Sequence, residues 1–305
     1  MSLVIIGTVA FDAIETPFGK TDKIVGGAAT YASLAASYFY DKTKIIGVVG
    51  DDFEQPEIEV FKNHGIDVEG LQIKQGEKSF FWAGKYHNDM NSRDTLVTEL
   101  NVLADFDPII PDSYQDCEYL LLGNLTPQIQ KTTIERLEKR PKLIVLDTMN
   151  FWMDVALADL LETLKLVDVL TINDAEARQL SGEYSLVKAA KKILDMGPKY
   201  LIIKKGEHGA LLFHEDKIFS APALPLAEVF DPTGAGDSFA GGFIGYLAKV
   251  GTINFNNMKN ALIFGSALAS FCVEKFGTER IKNLQQEEIS ERVKQFVNLS
   301  SFELA

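Results

Sequence analysis

The stretch Asp231-Pro-Thr-Gly-Ala-Gly-Asp-Ser-Phe239 leads into an apolar run over 240–250 whose composition predicts a helix. Because Gly234 and Gly236 flank Ala235, the backbone can turn so that successive amides converge on one point. At the start of a helix such amides meet the positive end of the helix dipole and make a site for a phosphate or a developing anion. The stretch therefore predicts an anion site at a helix N-terminus, with both glycines in backbone angles that a Cβ would disfavour.

Asp237 follows this turn directly. A carboxylate in that place is poorly suited to binding phosphate and well suited to accepting a proton from a hydroxyl that attacks one. An anion site beside a general base is what phosphoryl transfer to an alcohol requires. The alternative interpretation is an aspartate that caps a helix after a glycine turn. The stretch is not a Walker A loop, because no Gly-Lys-Ser/Thr follows, and Gly236 and Gly241 are wrongly spaced for a dinucleotide-binding GxGxxG.

The overall composition excludes several classes of function. The 305 residues include 30 basic and 43 acidic side chains, a formal net charge of −13, which repels the phosphate backbone of nucleic acids. No stretch approaches the ~18 consecutive apolar residues of a membrane span, so we expect no membrane partner. Cys117 and Cys272 lie far apart without a CxxC spacing, which predicts buried thiols in a reducing, cytoplasmic compartment.

Short apolar strands alternate with helical patterns along most of the chain. An apolar stripe at helical spacing, for example, joins Leu157, Leu160, Leu161 and Leu164. Strand candidates with consecutive apolar residues cover 3–6, 43–49, 118–122, 143–146, 167–172 and 200–203. Strands that are apolar on both faces and alternate with helices predict an α/β fold, a three-layer α/β/α sandwich around a mostly parallel central sheet.

Two regions, about 11–25 and 66–100, lack a helical stripe. Within the second region, 66–73 and 79–85 alternate in polarity like half-exposed strands around a Gln75-Gly-Glu77 turn. We interpret both regions as a small β-lid that has no core of its own. The sequence thus predicts a single domain over 1–305 with the lid as an insertion.

The complete stretch 231–239 resembles, almost letter for letter, the second signature of the ribokinase-like (PfkB) carbohydrate kinase family. The resemblance implies the ribokinase-like fold and an ATP-dependent kinase that transfers the γ-phosphate to a primary hydroxyl. It implies Asp237 as the catalytic base. It also implies that the amides of Gly234, Ala235 and Gly236 form the anion hole of the reaction.

Further motifs extend the resemblance to the acceptor side. The stretch 26–32, Gly-Gly-Ala-Ala-Thr-Tyr-Ala, resembles the family's first signature, in which a Gly-Gly turn opens a helix beside the acceptor. Asp12 stands where the family has an acidic residue that binds acceptor hydroxyls. The resemblance therefore implies acceptor binding by Asp12, Gly26, Gly27 and Thr30.

Polar residues also follow two of the predicted strands. Ligands of open α/β sheets bind at the carboxyl ends of strands, so Asn124, Asp147 and Asn150 are candidates for the acceptor or metal rim. The alternative for each is a hydrogen bond that only stabilises its loop. Of these three, Asn124 is our candidate for acceptor binding.

The stretch Asn173-Asp-Ala-Glu176 resembles the family's Asn-x-x-Glu motif, which implies contact with the bound nucleotide. Asn173 and Glu176 fall on one face of a first helical turn, and oxygen ligands of this kind suit Mg²⁺ held through water. The alternative is a capping box, in which the two side chains only satisfy the helix start.

The strand and turn over 200–210 resemble the segment that runs under the nucleotide in this family, which implies ATP contacts for Lys204, Gly206, Glu207 and Gly209. Lys204 could reach the β- or γ-phosphate as a point charge. A solvated hairpin end is the alternative interpretation. By its offset in the adenine-side helix, Ser266 is the candidate adenine neighbour.

The resemblance also bears on ions. Mg²⁺ accompanies ATP, with Glu176 as its candidate ligand through water. Family members often bind a monovalent cation near the turn that corresponds to 231–233, so Asp231 and Thr233 are candidates for a K⁺ site.

The acceptor stays open at this stage. Family acceptors include sugars, sugar phosphates, sugar acids and nucleosides, and we favour an uncharged sugar or ribonucleoside. Strand alternation puts Phe80, Trp82 and Gly84 on one lid face and Phe81 and Ala83 on the other. The lid's aromatic rings could stack on the acceptor, fill the lid, or join two lids in a homodimer. A catalytically silent nucleotide sensor, or a kinase for a phosphosugar or sugar acid, is the alternative function.

Overall fold

The computed structural model describes residues 2–301 and 303. In chain order its strands are β1 Leu3–Ile6, β2 Ala10–Thr16, β3 Gly19–Lys20, β4 Ile24–Gly26, β5 Thr43–Gly50, β6 Asp67–Lys74, β7 Phe80–Tyr86, β8 Arg93–Glu99, β9 Tyr119–Leu122, β10 Leu143–Asp147, β11 Val169–Asn173, β12 Tyr200–Lys204, β13 Ala210–His214 and β14 Lys217–Ala221. The α-helices are α1 Ala28–Ser37, α2 Gln55–Asn63, α3 Pro127–Glu135, α4 Asn150–Val155, α5 Leu157–Leu164, α6 Asp174–Ser181, α7 Leu186–Leu194, α8 Ala235–Val250, α9 Phe255–Cys272 and α10 Gln286–Ser300.

Nine strands form the large sheet, in the order β14-β13-β12-β11-β10-β9-β1-β5-β6. All neighbours from β12 to β6 pair in parallel, and only β13 and β14 run antiparallel at one edge. Alternation along β1 shows why both faces must be covered. Leu3 and Ile5 pack into a core with α1, α8 and α9, whereas Val4 and Ile6 pack into a second core with α5 and α7. The predicted α/β/α sandwich with a mostly parallel sheet is confirmed.

A second, smaller sheet lies beside the first, in the order β3-β2-β7-β8, with β4 paired to β2. β2 pairs in parallel with β7, and Asp12 stands opposite Trp82. β8 covers the outer edge antiparallel to β7, and all seven of its residues are exposed.

The structure corrects the boundaries of the predicted lid. The sequence predicts 66–73 as part of the lid, but β6 pairs in parallel with β5 and forms the edge of the large sheet. An edge strand is only partly covered, so its side chains alternate in exposure as those of a lid strand do. Polarity alone therefore could not separate the two locations. The small sheet comprises residues 10–26 and 80–99.

The structure also bears on the two cysteines and on the search for a membrane-spanning helix. Cys117 and Cys272 are buried free thiols, as predicted. Within residues 2–301, no helix combines the length and the apolar character that a bilayer crossing demands.

Candidate active site

The anion turn, residues 231–236, lies where α8 begins and where the small sheet meets the large one. Gly234 caps α8 in the left-handed conformation with a φ of 74°. A Cβ at this position would overlap the ring of Tyr31, which forms the floor of the turn. Gly234 is therefore required both by its backbone angle and by its neighbour.

The other two residues of the predicted anion hole differ from Gly234. The amide of Ala235 donates to the Pro232 carbonyl at 3.2 Å, so it is already engaged. Gly236 lies in the first turn of α8 with a negative φ, so the expectation of a strained angle is wrong for this residue. Its amide belongs to the first turn of a helix, which has no carbonyl partners within the helix and is open to a ligand.

Asp237 lies one residue further along α8 and is half-buried. Burial raises the pKa of its carboxyl above the usual range, and the negative charge of Asp147 adds to this rise. The positive charges of Lys204 and Arg93 oppose it. A carboxylate whose pKa lies above the usual range is a stronger proton acceptor, which suits a general base.

Lys204 ends β12 and reaches the anion turn. Its Nζ donates to Asp147 Oδ1 at 2.8 Å, and the same oxygen accepts the Thr171 hydroxyl at 2.7 Å. The ammonium would lie 3.1 Å from a Cβ on Gly236, so it stands directly beside the amides of the turn. The structure thus brings together Lys204, Asp147 and Asp237 around one point at the carboxyl ends of the parallel strands.

Asn173 and Glu176 form a reciprocal capping box at the start of α6. The Glu176 amide donates to Asn173 Oδ1 at 2.8 Å, and the Asn173 amide donates to Glu176 Oε2 at 2.7 Å. The capping interpretation is therefore correct for one carboxylate oxygen. Burial raises the pKa of Glu176 to about 7, while the charge of Lys204 opposes the rise. Glu176 thus faces the same cluster as Lys204.

The nucleotide turn, residues 205–209, lies at the end of β12. The amide of Lys205 donates to the Gly209 carbonyl at 2.8 Å and closes the turn. Glu207 projects into solvent, where its carboxylate lies 3.7 Å from His208, and so it does not join the cluster. Ser266 is half-buried on α9, a helix that contacts β13 and β14 at the edge of the large sheet.

Asp12 provides the acceptor side of the site. Its carboxylate is buried directly against Gly26, where a Cβ would overlap it. Burial raises the pKa of Asp12 to about 7, the charges of Asp231 and Asp237 add to this rise, and the Gly27 amide opposes it. The Gly26-Gly27 turn therefore holds a buried carboxylate on the acceptor side, and its charge interacts with that of Asp237.

Thr30 and Asn124, which the sequence also predicts to bind the phosphate acceptor, make hydrogen bonds within the protein. The Thr30 hydroxyl is fully buried and donates to the Gly26 carbonyl at 2.6 Å, which closes the first turn of α1. Asn124 Oδ1 accepts the Trp152 indole N–H at 2.8 Å, and its amide group contacts Met149 Sδ at 3.1 Å. Both side chains stabilise local structure, as the alternative interpretation held for Asn124.

Asp231 ties the anion turn to the loop after α9. One carboxylate oxygen accepts the Thr233 amide at 2.9 Å, and the other accepts the Gly277 amide at 2.8 Å. Burial raises the pKa of Asp231. Among the residues that the structure describes, no group of three His, Cys, Asp or Glu side chains is arranged to hold a metal ion.

Sequence reasoning missed four residues that the tertiary structure brings to the site. They are Tyr31 under Gly234, Tyr86 and Arg93 from the lid, and Asn91 from the lid tip. Tyr31 was visible as part of the motif at 26–32. Arg93 was visible only as one lid cation among several acidic residues, and no local pattern distinguishes it from the rest.

The chain is similar to known proteins over most of its length. A family model described as "pfkB family carbohydrate kinase" matches residues 2–284. The chain is 31% identical over 250 residues to the cytidine kinase of Thermococcus kodakarensis, covering 80% of this chain and 87% of the relative. It is 25% identical over 307 residues to the nucleoside kinase of Methanothermobacter thermautotrophicus, covering 91% of each. A solved nucleoside kinase of Burkholderia thailandensis in complex with inosine has the same fold, with a TM-score of 0.76, 19% identity, and coverage of 97% of this chain and 98% of that one.

Proposed function

The chain belongs to the pfkB family of carbohydrate kinases, and we propose that it transfers the γ-phosphate of ATP to the primary hydroxyl of a ribonucleoside. Family members are ATP-dependent phosphotransferases that act on an alcohol group, and the function of this chain as a kinase for a sugar or nucleoside follows from that membership. One observation carries the mechanism: Asp237 lies in the first turn of α8, directly after the anion turn, and the Lys204 ammonium stands beside it, 3.1 Å from the place of a Cβ on Gly236.

In this mechanism Asp237 accepts the proton of the acceptor hydroxyl while the hydroxyl oxygen attacks the γ-phosphorus. The new O–P bond forms as the bond between the γ-phosphorus and the β,γ-bridging oxygen breaks, and ADP leaves. The amides of Gly234 and Gly236 stabilise the charge on the transferring group. Lys204, beside the same turn, adds a positive charge. Its ion pair with Asp147 holds it in place before ATP enters.

Mg²⁺ fits the donor chemistry of the nucleotide side. One oxygen of Glu176 is bound to the Asn173 amide, which leaves the other to hold the ion through water. When bound, Mg²⁺ neutralises charge on the β- and γ-phosphates. The remaining ATP contacts that we propose come from the nucleotide turn through Gly206 and Gly209, with Ser266 towards the adenine. Glu207, exposed at the same turn, stays a proposed ATP contact.

A nucleoside is the acceptor that the site supports best. Asp12 can accept hydrogen bonds from ribose hydroxyls, and Trp82 lies opposite it in register, so both side chains point from the same face of the small sheet. Trp82 is half-buried, which leaves part of its ring open to a base. The names of the two relatives, a cytidine kinase and a nucleoside kinase, support the same choice.

Three further predictions from the sequence stay proposals: the monovalent cation, the homodimer and the cytoplasmic location. A monovalent cation at 231–233 would share the Asp231 carboxylate with two backbone amides, because each of its oxygens already accepts one. β8 is the outer strand of the lid and is exposed along its length, so a homodimer could form by pairing of two lid edges. A cytoplasmic location stays a prediction.

An ADP-release assay against a panel of acceptors tests the function. The panel contains cytidine, uridine, adenosine, inosine, ribose, fructose, a phosphosugar and a sugar acid, with Asp237→Asn as the control for contaminating kinases. We expect acceptor-dependent ADP release with one or more ribonucleosides and much less with free sugars. Turnover of a sugar or phosphosugar alone would overturn the nucleoside assignment. The absence of ADP with every acceptor would favour the silent sensor.

A further inference from the structure

The hairpin between β7 and β8, residues 86–93, spans both halves of the candidate site. At its base, the Tyr86 hydroxyl oxygen accepts the Thr233 hydroxyl at 3.1 Å, in the anion turn. At its tip, Asn91 Oδ1 lies 2.8 Å from the place of a Cβ on Gly206, in the nucleotide turn. One lid element therefore contacts the segment that we assign to the transferring phosphate and the segment that we assign to ATP.

Hydrogen bonds within the hairpin hold its tip in one shape. The carboxylate of Asp89 accepts the amides of Asn91 and Ser92 at 3.1 and 2.9 Å. The Ser92 hydroxyl donates to the same carboxylate at 2.5 Å. Although the tip is exposed, the side chains of Asp89 and Ser92 hold it in one conformation. The position of the next residue, Arg93, is therefore defined.

Arg93 is that residue, and the register of the sheet decides where it points. It stands opposite Tyr86, so both side chains leave the same face of the lid, which is also the face of Trp82. The guanidinium carbon lies 5.7 Å from the centre of the Trp82 ring. The neighbouring pair, Lys85 and Asp94, leaves the opposite face, where Lys85 pairs with Glu15 at 2.7 Å.

Negative charge predominates around Lys204. Its ammonium pairs with Asp147 at 2.8 Å, the charges of Glu176 and Asp237 also act on it, and the phosphates of ATP add more negative charge. Lys204 and Arg93 are the cations that lower the pKa of Asp237, and both also lower that of Glu176. The field of the Arg93 guanidinium therefore reaches the base and the capping carboxylate from the lid side.

We propose that Arg93 is a catalytic residue that binds the γ-phosphoryl group during transfer, carried to it by the 86–93 hairpin. This assignment rests on the proposed kinase function. The guanidinium donates hydrogen bonds to the equatorial phosphoryl oxygens and neither gains nor loses a proton. The acceptor proton still goes to Asp237, and ADP still leaves with the bridging oxygen. Because Arg93 belongs to the lid, its positive charge joins that of Lys204 only when the hairpin contacts both the anion turn and the nucleotide turn.

The test compares Arg93 with a lid cation on the opposite face. Loss of one donor to a developing anion costs about 10²–10³-fold in kcat. We therefore expect Arg93→Met to lower kcat by about that factor and Arg93→Lys by less. Lys85→Met should stay within about 2-fold of the wild type, because Lys85 points away from the site. Arg93 is exposed, so the melting temperatures of all three variants should match that of the wild type.

A second measurement separates a chemical from a structural role. Added guanidinium ion should restore part of the activity of Arg93→Ala and none to Lys85→Ala. An active wild-type enzyme with equally active Arg93→Met would overturn this assignment and leave the kinase function intact. A wild type without acceptor-dependent ADP release would overturn the kinase function and this assignment with it. Equal losses in Arg93→Met and Lys85→Met would also overturn it, because they would indicate a general effect of lid charge.

Discussion

The anion turn and the lid hairpin contact each other, yet they are built in opposite ways. The turn is held by backbone amides on both oxygens of Asp231 and by the Tyr31 ring beneath Gly234. The hairpin is held by exposed side chains, and the whole of β8 is open to solvent. The turn is therefore preformed, whereas the lid depends on weaker contacts such as Tyr86 to Thr233. We therefore expect any substitution of a catalytic group on the turn to affect the enzyme. The effect of a substitution in the lid should depend on which face of the lid sheet the side chain occupies.

The largest effect expected on the preformed side comes from the base. Asp237→Asn keeps the shape of the side chain and removes the proton acceptor. General-base catalysis contributes about 10²–10⁴-fold, so kcat should fall by that factor while ATP affinity changes little. Steady-state kinetics with a nucleotide-binding measurement checks this. Unchanged kcat would remove Asp237 from the mechanism.

The second prediction concerns the fit between the anion turn and its floor. Gly234 and Gly251 both have a left-handed φ, 74° and 72°, but only a Cβ on Gly234 meets a neighbour, the Tyr31 ring. The backbone cost alone is about 1–2 kcal/mol, which Gly251→Ala should show. Gly234→Ala should add about 1–3 kcal/mol from the clash and inactivate the enzyme. Urea unfolding of both variants measures the difference. Equal costs would mean that Tyr31 yields freely and does not form a rigid floor.

The third prediction separates the two faces of the lid. Trp82 shares the face of Asp12, whereas Phe81 packs against the core beside α1. Base stacking is worth about 1–3 kcal/mol, so Trp82→Ala should raise KM for a nucleoside by about 5- to 150-fold and leave KM for free sugars unchanged. Phe81→Ala should lower the free energy of unfolding and leave the order of acceptors unchanged. Identical responses of the two variants across all acceptors would contradict the stacking model.

The smallest effect lies where the two regions meet, at Asp12. Its pKa is raised to about 7 in the folded protein, chiefly by burial, whereas the unfolded chain ionises at about 4. The folded state thus binds a proton that the unfolded state releases. The stability from neutral Asp12 is full below about pH 4 and is lost as pH rises through 7.

The variant Asp12→Asn imitates the neutral acid. Its free energy of unfolding should equal that of the wild type near pH 4 and exceed it by at least about 1 kcal/mol at pH 8. The same substitution at exposed Asp94 should change the free energy of unfolding little at either pH. Equal unfolding free energies of wild type and Asp12→Asn at pH 8 would show that Asp12 is well solvated.

Much of the fold and of the preformed region could be predicted from the sequence because their signals are local. Consecutive apolar residues in β1, β9 and β10 indicate strands buried on both faces, and the large sheet has them at its centre. The turn, the start of its helix and Asp237 stand within nine consecutive residues, 231–239. A helix start and its neighbouring amides are defined by such short-range geometry.

The sequence left the outcome open where a local pattern fits two environments. The alternation of 66–73 suits an edge strand as well as a lid strand, and only pairing with β5 decides between them. Asn124 and Thr30 carry side chains that could bind an acceptor, but Trp152 and the Gly26 carbonyl engage them. Polar side chains can satisfy the protein or a ligand equally well, and the sequence does not distinguish the two.

Local sequence patterns are enough to predict the layered α/β fold, the anion turn and the carboxylate of Asp237 beside it. The contact of Tyr31 with Gly234, and that of lid residue Tyr86, with Arg93 beside it, with Thr233 of the anion turn, arise only when the chain folds. These pairs are more than 140 positions apart in the chain, so no spacing or periodicity relates them. Their proximity results from the packing of α1 against α8 and from the register of β7 with β8, which depend on the whole folded chain.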